Sequence, residues 1–309
     1  MIEIPCLRFL VILRVESSLM FFDHWLKGYH IRSLLEEVMK RQFPCQITDQ
    51  CNKCSKASSC EYVLFFHPQI IDNKASSKMI ILPNLNKRNV FIYGEKLSFE
   101  IRLFCDLAHE RFFTVRLLPA LEHGGKFTGL GKWRGTKSDQ FGRFNLDRVY
   151  IWQKSAWQLY LDEDSQPQCH IIPEMAGTQA YDQSSSPLVI EFITPVLFRR
   201  EKKAIQNPSF FDLVKAAERR VQSLSGISSR LSDDNIICQM ETISSHFYSV
   251  IHNAKKRADV YSIGEMVVSH LPEELIAILS CGSFAHIGKG VSMGMGGFVI
   301  RQLHGESTQ

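Results

Sequence analysis

What this chain lacks narrows its class first. It has no uninterrupted apolar run of membrane-span length. The opening "MIEIPCLRFLVILRVESSLMFF" is apolar, but Arg8, Arg14 and Glu16 interrupt it and no small-residue cleavage site follows, so it does not read as a secretory signal. It alternates instead, with Leu7, Phe9, Val11, Leu13 and Val15 on one face, as a buried strand over about residues 5–15 does. No Gly-Lys-Ser/Thr phosphate loop occurs. Charge of one sign is not in large excess. Lys plus Arg number 36 against 32 Asp plus Glu, a net +4, which permits nucleic-acid binding without requiring it, because clustering matters more than the total. A cytoplasmic protein with no membrane partner is expected, and its nine cysteines are then not a disulfide framework.

What is present suits a folded chain of two domains: 309 residues, 45% hydrophobic and 22% charged. After the first strand, "IRSLLEEVMK" (31–40) has helical periodicity through Ile31, Leu34, Leu35 and Val38, with Gly28 just before it. "YVLFF" (62–66) reads as a short strand and residues 72–89 as a polar loop. "NVFIYGEKLSFEIRLFCDL" reads as two strands around Gly94-Glu95. "RFFTVRLLPALEHGG" reads as a helix stopped at Gly124, with Pro119 as a kink or first-turn residue, and "RFNLDRVYIW" as a strand. Strand, helix, strand, strand, helix, strand is the ferredoxin-like arrangement. Residues 166–187, rich in Ser, Gln, Asp and Pro, read as a linker. "LVIEFITPVLF", the strong helix in "PSFFDLVKAAERRVQSLSGI", a less regular middle and a last strand in "GGFVIRQL" make a second cycle. The expected fold is α+β: two tandem ferredoxin-like (RRM-like) domains at 1–165 and 188–309, with a cysteine-rich metal-binding insertion (45–60) in the first and a glycine-rich loop (288–297) in the second.

Cys45, Cys51, Cys54 and Cys60, spaced x5, x2 and x5 with a central C-x-x-C, suit tetrahedral metal binding. Zinc is expected; an iron–sulfur cluster uses the same number of cysteines and is not separated from it by spacing. With four protein ligands the metal would be structural rather than catalytic.

The loop "FAHIGKGVSMGMGGFVI" places Gly288, Gly290, Gly294, Gly296 and Gly297 within ten residues, beside Lys289. Gly290 follows Lys289 where a nucleotide-binding loop needs Ser or Thr. A strand, not a helix, comes next, against a dinucleotide site. A tight turn accounts for two or three of these glycines. Backbone amides facing an extended phosphate chain, as single-stranded RNA presents it, account for the set better. Basic residues cluster with an aromatic at Lys132, Trp133, Arg134 and Arg143, and again at Arg199 and Arg200; these are the expected RNA contacts. Lys255, Lys256 and Arg257, and the pair Arg219 and Arg220 on the polar side of their helix, read as solvated.

"HIGKGVSMGMGGFVI" resembles the C-terminal glycine-rich loop of the CRISPR-associated RAMP-superfamily endoribonucleases that process precursor CRISPR RNA. "GYHIRSLLEEVMKRQFPC", "YGEKLSFEIRLF", "GLGKWRGTKSDQFGRFNLDRV", "IEFITPVLF" and "AERRVQSL" are similar to further motifs of that family, in its order. The resemblance implies metal-independent cleavage of CRISPR repeat RNA by the neighbouring 2′-hydroxyl. It implies a general base among the histidines at the first helix: His30 first and His24 second, with Tyr29 orienting base or phosphate. His286 is expected as RNA contact or loop packing. Other CRISPR effector subunits are the implied protein partners. The competing expectation is a non-catalytic RNA-binding subunit of such a complex.

Overall fold

A computed structural model describes residues 4–21, 24–42, 51–73, 75–104, 110–131, 141–162, 174–175, 187–200, 203–226, 242–254, 257–269 and 271–303. The chain forms two compact bodies. One is Pro5–Met175 together with Ser292–Gly294; the other is Ala176–Val291 and Met295–Gln309 with the N-terminal Met1–Ile4.

In the first body β1 (Pro5–Val15) lies at the centre of an antiparallel sheet, as its alternation demands: Leu7, Phe9, Val11, Leu13 and Val15 are all buried. The short β2 (Leu19–Met20) leads to a 3₁₀ turn at His24–Leu26 and then α1 (Lys27–Gln42). α2 (Glu61–Phe66), β3 (Met79–Pro83), β4 (Val90–Phe91) and β5 (Lys96–Leu103) follow. A helical stretch from Glu110 includes a π turn, Phe113–Leu117, and continues as α3 (Leu118–Phe127). β6 (Phe144–Gln153), β7 (Ala156–Asp162) and β8 (Glu174–Met175) complete the body. The sheet runs β3-β5-β1-β6-β7, with β8 pairing the start of β1. Ile31, Leu34, Leu35 and Val38 of α1 and Ala120 and Leu121 of α3 join the inward side chains of β1 in one core. On the other sheet face Arg8 lies over the rings of Trp152 (4.7 Å) and Trp157 (5.3 Å) and pairs with Glu100 at 2.7 Å.

The second body repeats the plan with β9 (Leu188–Phe192), the small hairpin β10 (Phe198–Arg200) and β11 (Lys203–Ile205), α4 (Phe210–Ser225), β12 (Thr242–Ala254), β13 (Arg257–Val268), α5 (Glu273–Ala285) and β14 (Phe298–Gln302). Its sheet runs β12-β13-β9-β14, antiparallel throughout. Counting the core strands of each body in chain order, both sheets run second-third-first-fourth, the ferredoxin-like order. No helix among the described residues is long and apolar enough to cross a membrane.

Several local expectations change. "YVLFF" is helix α2, not a strand. Tyr62, Val63, Phe65 and Phe66 are buried, and that spacing places them on one side of a helix. The stretch 72–89 is not all loop, because Met79–Pro83 forms β3 inside it. α3 runs through Gly124 to Phe127. A Cβ on its neighbour Gly125 would meet the Phe144 carbonyl oxygen at 2.2 Å, so glycine serves close packing of helix on strand there rather than termination. Pro119 falls in the first turn of α3, and the π turn before it takes up the backbone irregularity. In the less regular middle of the second half, Thr242–Ala254 and Arg257–Val268 form the long β12–β13 hairpin.

Candidate functional site

α1 begins at Lys27, four residues before the sequence periodicity shows it, so Tyr29 and His30 lie in its first turn rather than in the loop before it. Lys27 is fully buried; its ammonium donates to the Asn86 carbonyl (2.8 Å), Asn86 Oδ1 (2.7 Å) and the Asn84 carbonyl (3.3 Å). Burial, then the nearby Arg88 guanidinium, pulls its pKa down from 10.5 to about 8. A Cβ on Gly28 would meet the Met293 carbonyl oxygen at 2.3 Å, so this position admits only glycine beside the segment Ser292–Gly294 of the same body.

The expected catalytic residues divide at this turn. Tyr29 is 41% exposed. The His30 ring packs 5.6 Å from both Phe21 and Tyr29, and its Nε2 is closed off from solvent. His24 is half-buried, with its ring 4.0 Å from that of Trp25.

From Tyr29 an open groove of about 850 Å³ runs along α1, lined by Arg32, Ser33, Glu36, Glu37 and Lys40 on the helix and by Tyr62 and His67 across from it. The helix residues follow a stripe of three- and four-residue steps. His67 Nε2 stands 3.0 Å from Glu36 Oε1 and 3.2 Å from Tyr62 Oη. Arg32 donates to Glu36 Oε2 (2.6 Å) and to the Phe66 carbonyl (2.7 Å). Burial works against the Glu36 charge, but the hydrogen bond from His67 and the charges of Arg32 and His67 prevail and hold its carboxyl below the usual range. Burial first, then the Glu36 carboxylate, pushes Tyr62 up to about 12. Sequence reading missed Glu36, Tyr62 and His67. The signal was there only once α2 is a helix, which presents Tyr62 and His67 toward the same face of α1.

The glycine-rich loop is braced largely by its own body. The amides of Lys289, Gly296 and Gly297 donate to the Leu197 carbonyl (3.0 Å), the Pro195 carbonyl (2.9 Å) and Thr194 Oγ1 (2.7 Å). His286 is 3% exposed, and its Nδ1 stands 3.1 Å from the Met295 carbonyl, so its place is loop packing. Gly288, Gly290, Gly294 and Gly296 all have φ between 74° and 87°, which explains four glycines by backbone conformation. Gly294 and Gly296 are buried, whereas Gly288 and Lys289 are exposed.

Of the basic candidates, Lys132, Trp133 and Arg134 lie outside the described residues, as do Lys255 and Lys256. Arg143 donates to the Lys126 carbonyl, and its amide donates to Ser17 Oγ at 2.8 Å. Arg199 and Arg200 are exposed on β10, and Arg200 pairs with Asp212 at 2.7 Å. Arg220 is not solvated: it is buried and donates to the Ala285 carbonyl at 3.0 Å. Cys51, Cys54 and Cys60 are free thiols on successive short turns, half-exposed, and Cys45 lies outside the described residues. Among the described residues no three metal-binding side chains converge.

Two antiparallel ferredoxin-like sheets in one chain, with a glycine-rich loop entering the last strand, make the α+β fold that the sequence resemblance implies. Residues 190–298 match the family model described as CRISPR-associated endoribonuclease Cas6, and residues 4–172 match a family model described as an N-terminal domain. The chain is thus similar to the Cas6 type over residues 190–298. Among solved structures it is similar to a Cas6 product complex (14% identity, 96% of this chain and 100% of that one, TM-score 0.53) and to Thermus thermophilus Cas6 (13%, 97% and 99%, 0.51). It is also similar to a partial Cas6-RT-Cas1–Cas2 complex (10% identity, TM-score 0.59), covering 98% of this chain and 47% of that longer one. No curated protein matches. At these identities the likeness is one of fold.

Proposed function

We propose that the protein is an endoribonuclease that cuts CRISPR repeat RNA in precursor transcripts, giving mature guide RNA. The observation that carries this reading is the match of residues 190–298 to the endoribonuclease family model. The chemistry is attack of the 2′-hydroxyl on the adjacent phosphate, leaving a 2′,3′-cyclic phosphate and a 5′-hydroxyl. It needs a base, an acid and a cation near the phosphorane, and no metal. His30 in the first turn of α1, and then His24 in the 3₁₀ turn before it, are the sequence-derived candidates for base. Tyr29, open to the groove, orients the phosphate. The exposed Gly288 and Lys289, with Gly290, meet the RNA backbone, while Gly294, Gly296 and His286 hold the loop in shape. Lys132, Trp133, Arg134, Arg143, Arg199 and Arg200 track the rest of the strand. The four cysteines hold a structural zinc, a reading supported by donor chemistry and spacing. Other CRISPR subunits are its protein partners.

The test is cleavage of a repeat RNA in EDTA with analysis of the product ends, using His30→Ala and His24→Ala as comparisons. A cyclic phosphate formed by the wild type is the expected result. Tight binding of the repeat without any cut sinks the enzyme reading and leaves a non-catalytic RNA-binding subunit.

A further inference from the structure

The groove along α1 holds a histidine already arranged for proton transfer. His67 is 26% exposed at its side chain, and its Nε2 faces Glu36 Oε1 at 3.0 Å. Glu36 is held as a carboxylate and has no proton to give, so in the neutral ring the hydrogen belongs on Nε2. Tyr62 Oη, 3.2 Å from the same nitrogen, fixes the ring from a second side. The lone pair is then on Nδ1, which takes part in none of these contacts. Arg32 and Lys40 stand one turn before and one turn after Glu36 and line the same groove as Glu36 and Glu37; Arg32 is held by Glu36 and the Phe66 carbonyl, which leaves Lys40 as the groove cation not committed to Glu36 in these contacts. Tyr29 lies at the end of that groove. His30, by contrast, packs its ring on Phe21, with Nε2 closed off from solvent.

We propose that His67 is the general base of the cleavage reaction, with Glu36 as its positioning residue and the α1 groove as the seat of the scissile phosphate. The proposal rests on the endoribonuclease reading and moves the base role from His30 to His67. In the step, His67 Nδ1 takes the proton of the RNA 2′-hydroxyl as the O2′–P bond forms. The P–O5′ bond breaks with its electron pair on O5′, which takes a proton from water. His67 returns its proton to solvent, so the net change is transesterification alone. Lys40 offsets the negative charge that builds on the non-bridging oxygens of the phosphorane.

The experiment measures single-turnover cleavage and RNA affinity for wild type, His67→Ala, His67→Gln, Glu36→Gln and His30→Ala. Loss of one acid–base group costs about 10² to 10⁴ in rate. His67→Ala is expected to lose about 10²-fold or more in rate with RNA affinity within about threefold, and added imidazole is expected to restore part of it. Glu36→Gln should lower the rate and leave affinity unchanged. A His67 variant that melts like wild type and cuts within about threefold of it overturns the proposal, while the endoribonuclease reading stands. A wild type that never cuts overturns both. Should the His67 variants fail to fold, a repeat RNA carrying a single 2′-deoxy substitution at the cut site should shield His67 of the wild type from diethyl pyrocarbonate. Modification of His67 at an undiminished rate in that complex equally overturns the proposal.

Discussion

Lys27 shows how much one side chain at the entrance of α1 holds in place. It is buried, and its ammonium reaches three oxygens of Asn84 and Asn86, which ties the segment before β4 to the first turn of the helix. Unfolded, a lysine keeps its proton to about pH 10.5; folded, Lys27 gives it up near pH 8. Between those values the unfolded chain binds more protons, so stability rises with pH across the window, and below pH 8 the fold carries the full cost of the buried cation. Urea unfolding should therefore give a higher free energy at about pH 9.5 than at about pH 7.5. Lys27→Met leaves the Asn84 and Asn86 oxygens without their donor, which costs about 1–3 kcal/mol at pH 7. The variant should also lose the rise, so the gap from wild type widens as pH increases. A rise that persists unchanged in Lys27→Met assigns the titration to another group.

Legibility in the sequence differed between elements according to whether their determinants were local. α4 was readable because its ends are written in the chain. Ser209 caps it by accepting from the Asp212 amide at 3.2 Å, the Asp212 carboxylate accepts in turn from the Ser209 amide at 3.0 Å, and Gly226 follows at φ 71°. Ser209→Ala should cost about 1 kcal/mol and lower the melting temperature of the protein by a few degrees, with Ser209→Asp retaining most of the stability. An unchanged melting temperature would remove the capping box from the account of this helix. β7 escaped notice because its hairpin turns at Lys154 and Ser155, both at positive φ, where Asn-Gly would have announced it. The candidate site divided the same way. Tyr29 sits inside a recognisable helix start. His67 and Glu36 are 31 positions apart and meet only because Glu61–Phe66 turns as a helix, which an apolar run of five cannot declare by periodicity. In the glycine-rich loop composition was visible, but the reason for it was not: Gly288, Gly290, Gly294 and Gly296 all take positive φ, Gly294 and Gly296 in buried positions and Gly288 in an exposed one.

At the scale of the whole molecule, one question is what holds the segment between α1 and α2 against the first body. Cys51 and Cys60 are among the partly buried residues packed on its core, and the turns from Cys51 to Cys60 are linked by single backbone bonds, Cys54 to Cys51 at 3.2 Å and Cys60 to Ala57 at 3.3 Å. Such short turns carry little stability of their own. Four thiolates closing on one zinc would supply it, because binding energy at a structural site is folding energy. The protein purified without added metal should therefore carry about one zinc per chain by elemental analysis, without the visible absorbance of an iron–sulfur cluster. Cys54→Ser should lower both the zinc content and the melting temperature. The groove shares Cys51 with this segment, so prolonged chelation should erode cleavage only as the fold loosens, on the same time course as the loss of the melting transition. Brief EDTA exposure should leave the rate unchanged, because a closed four-thiolate site offers no open position to substrate and the proposed reaction uses protein groups alone. A rate that collapses at once in EDTA while the melting transition is intact would mean a metal takes part in the chemistry. Metal-free protein that melts as the zinc-loaded form does would mean the cysteines hold nothing the fold needs.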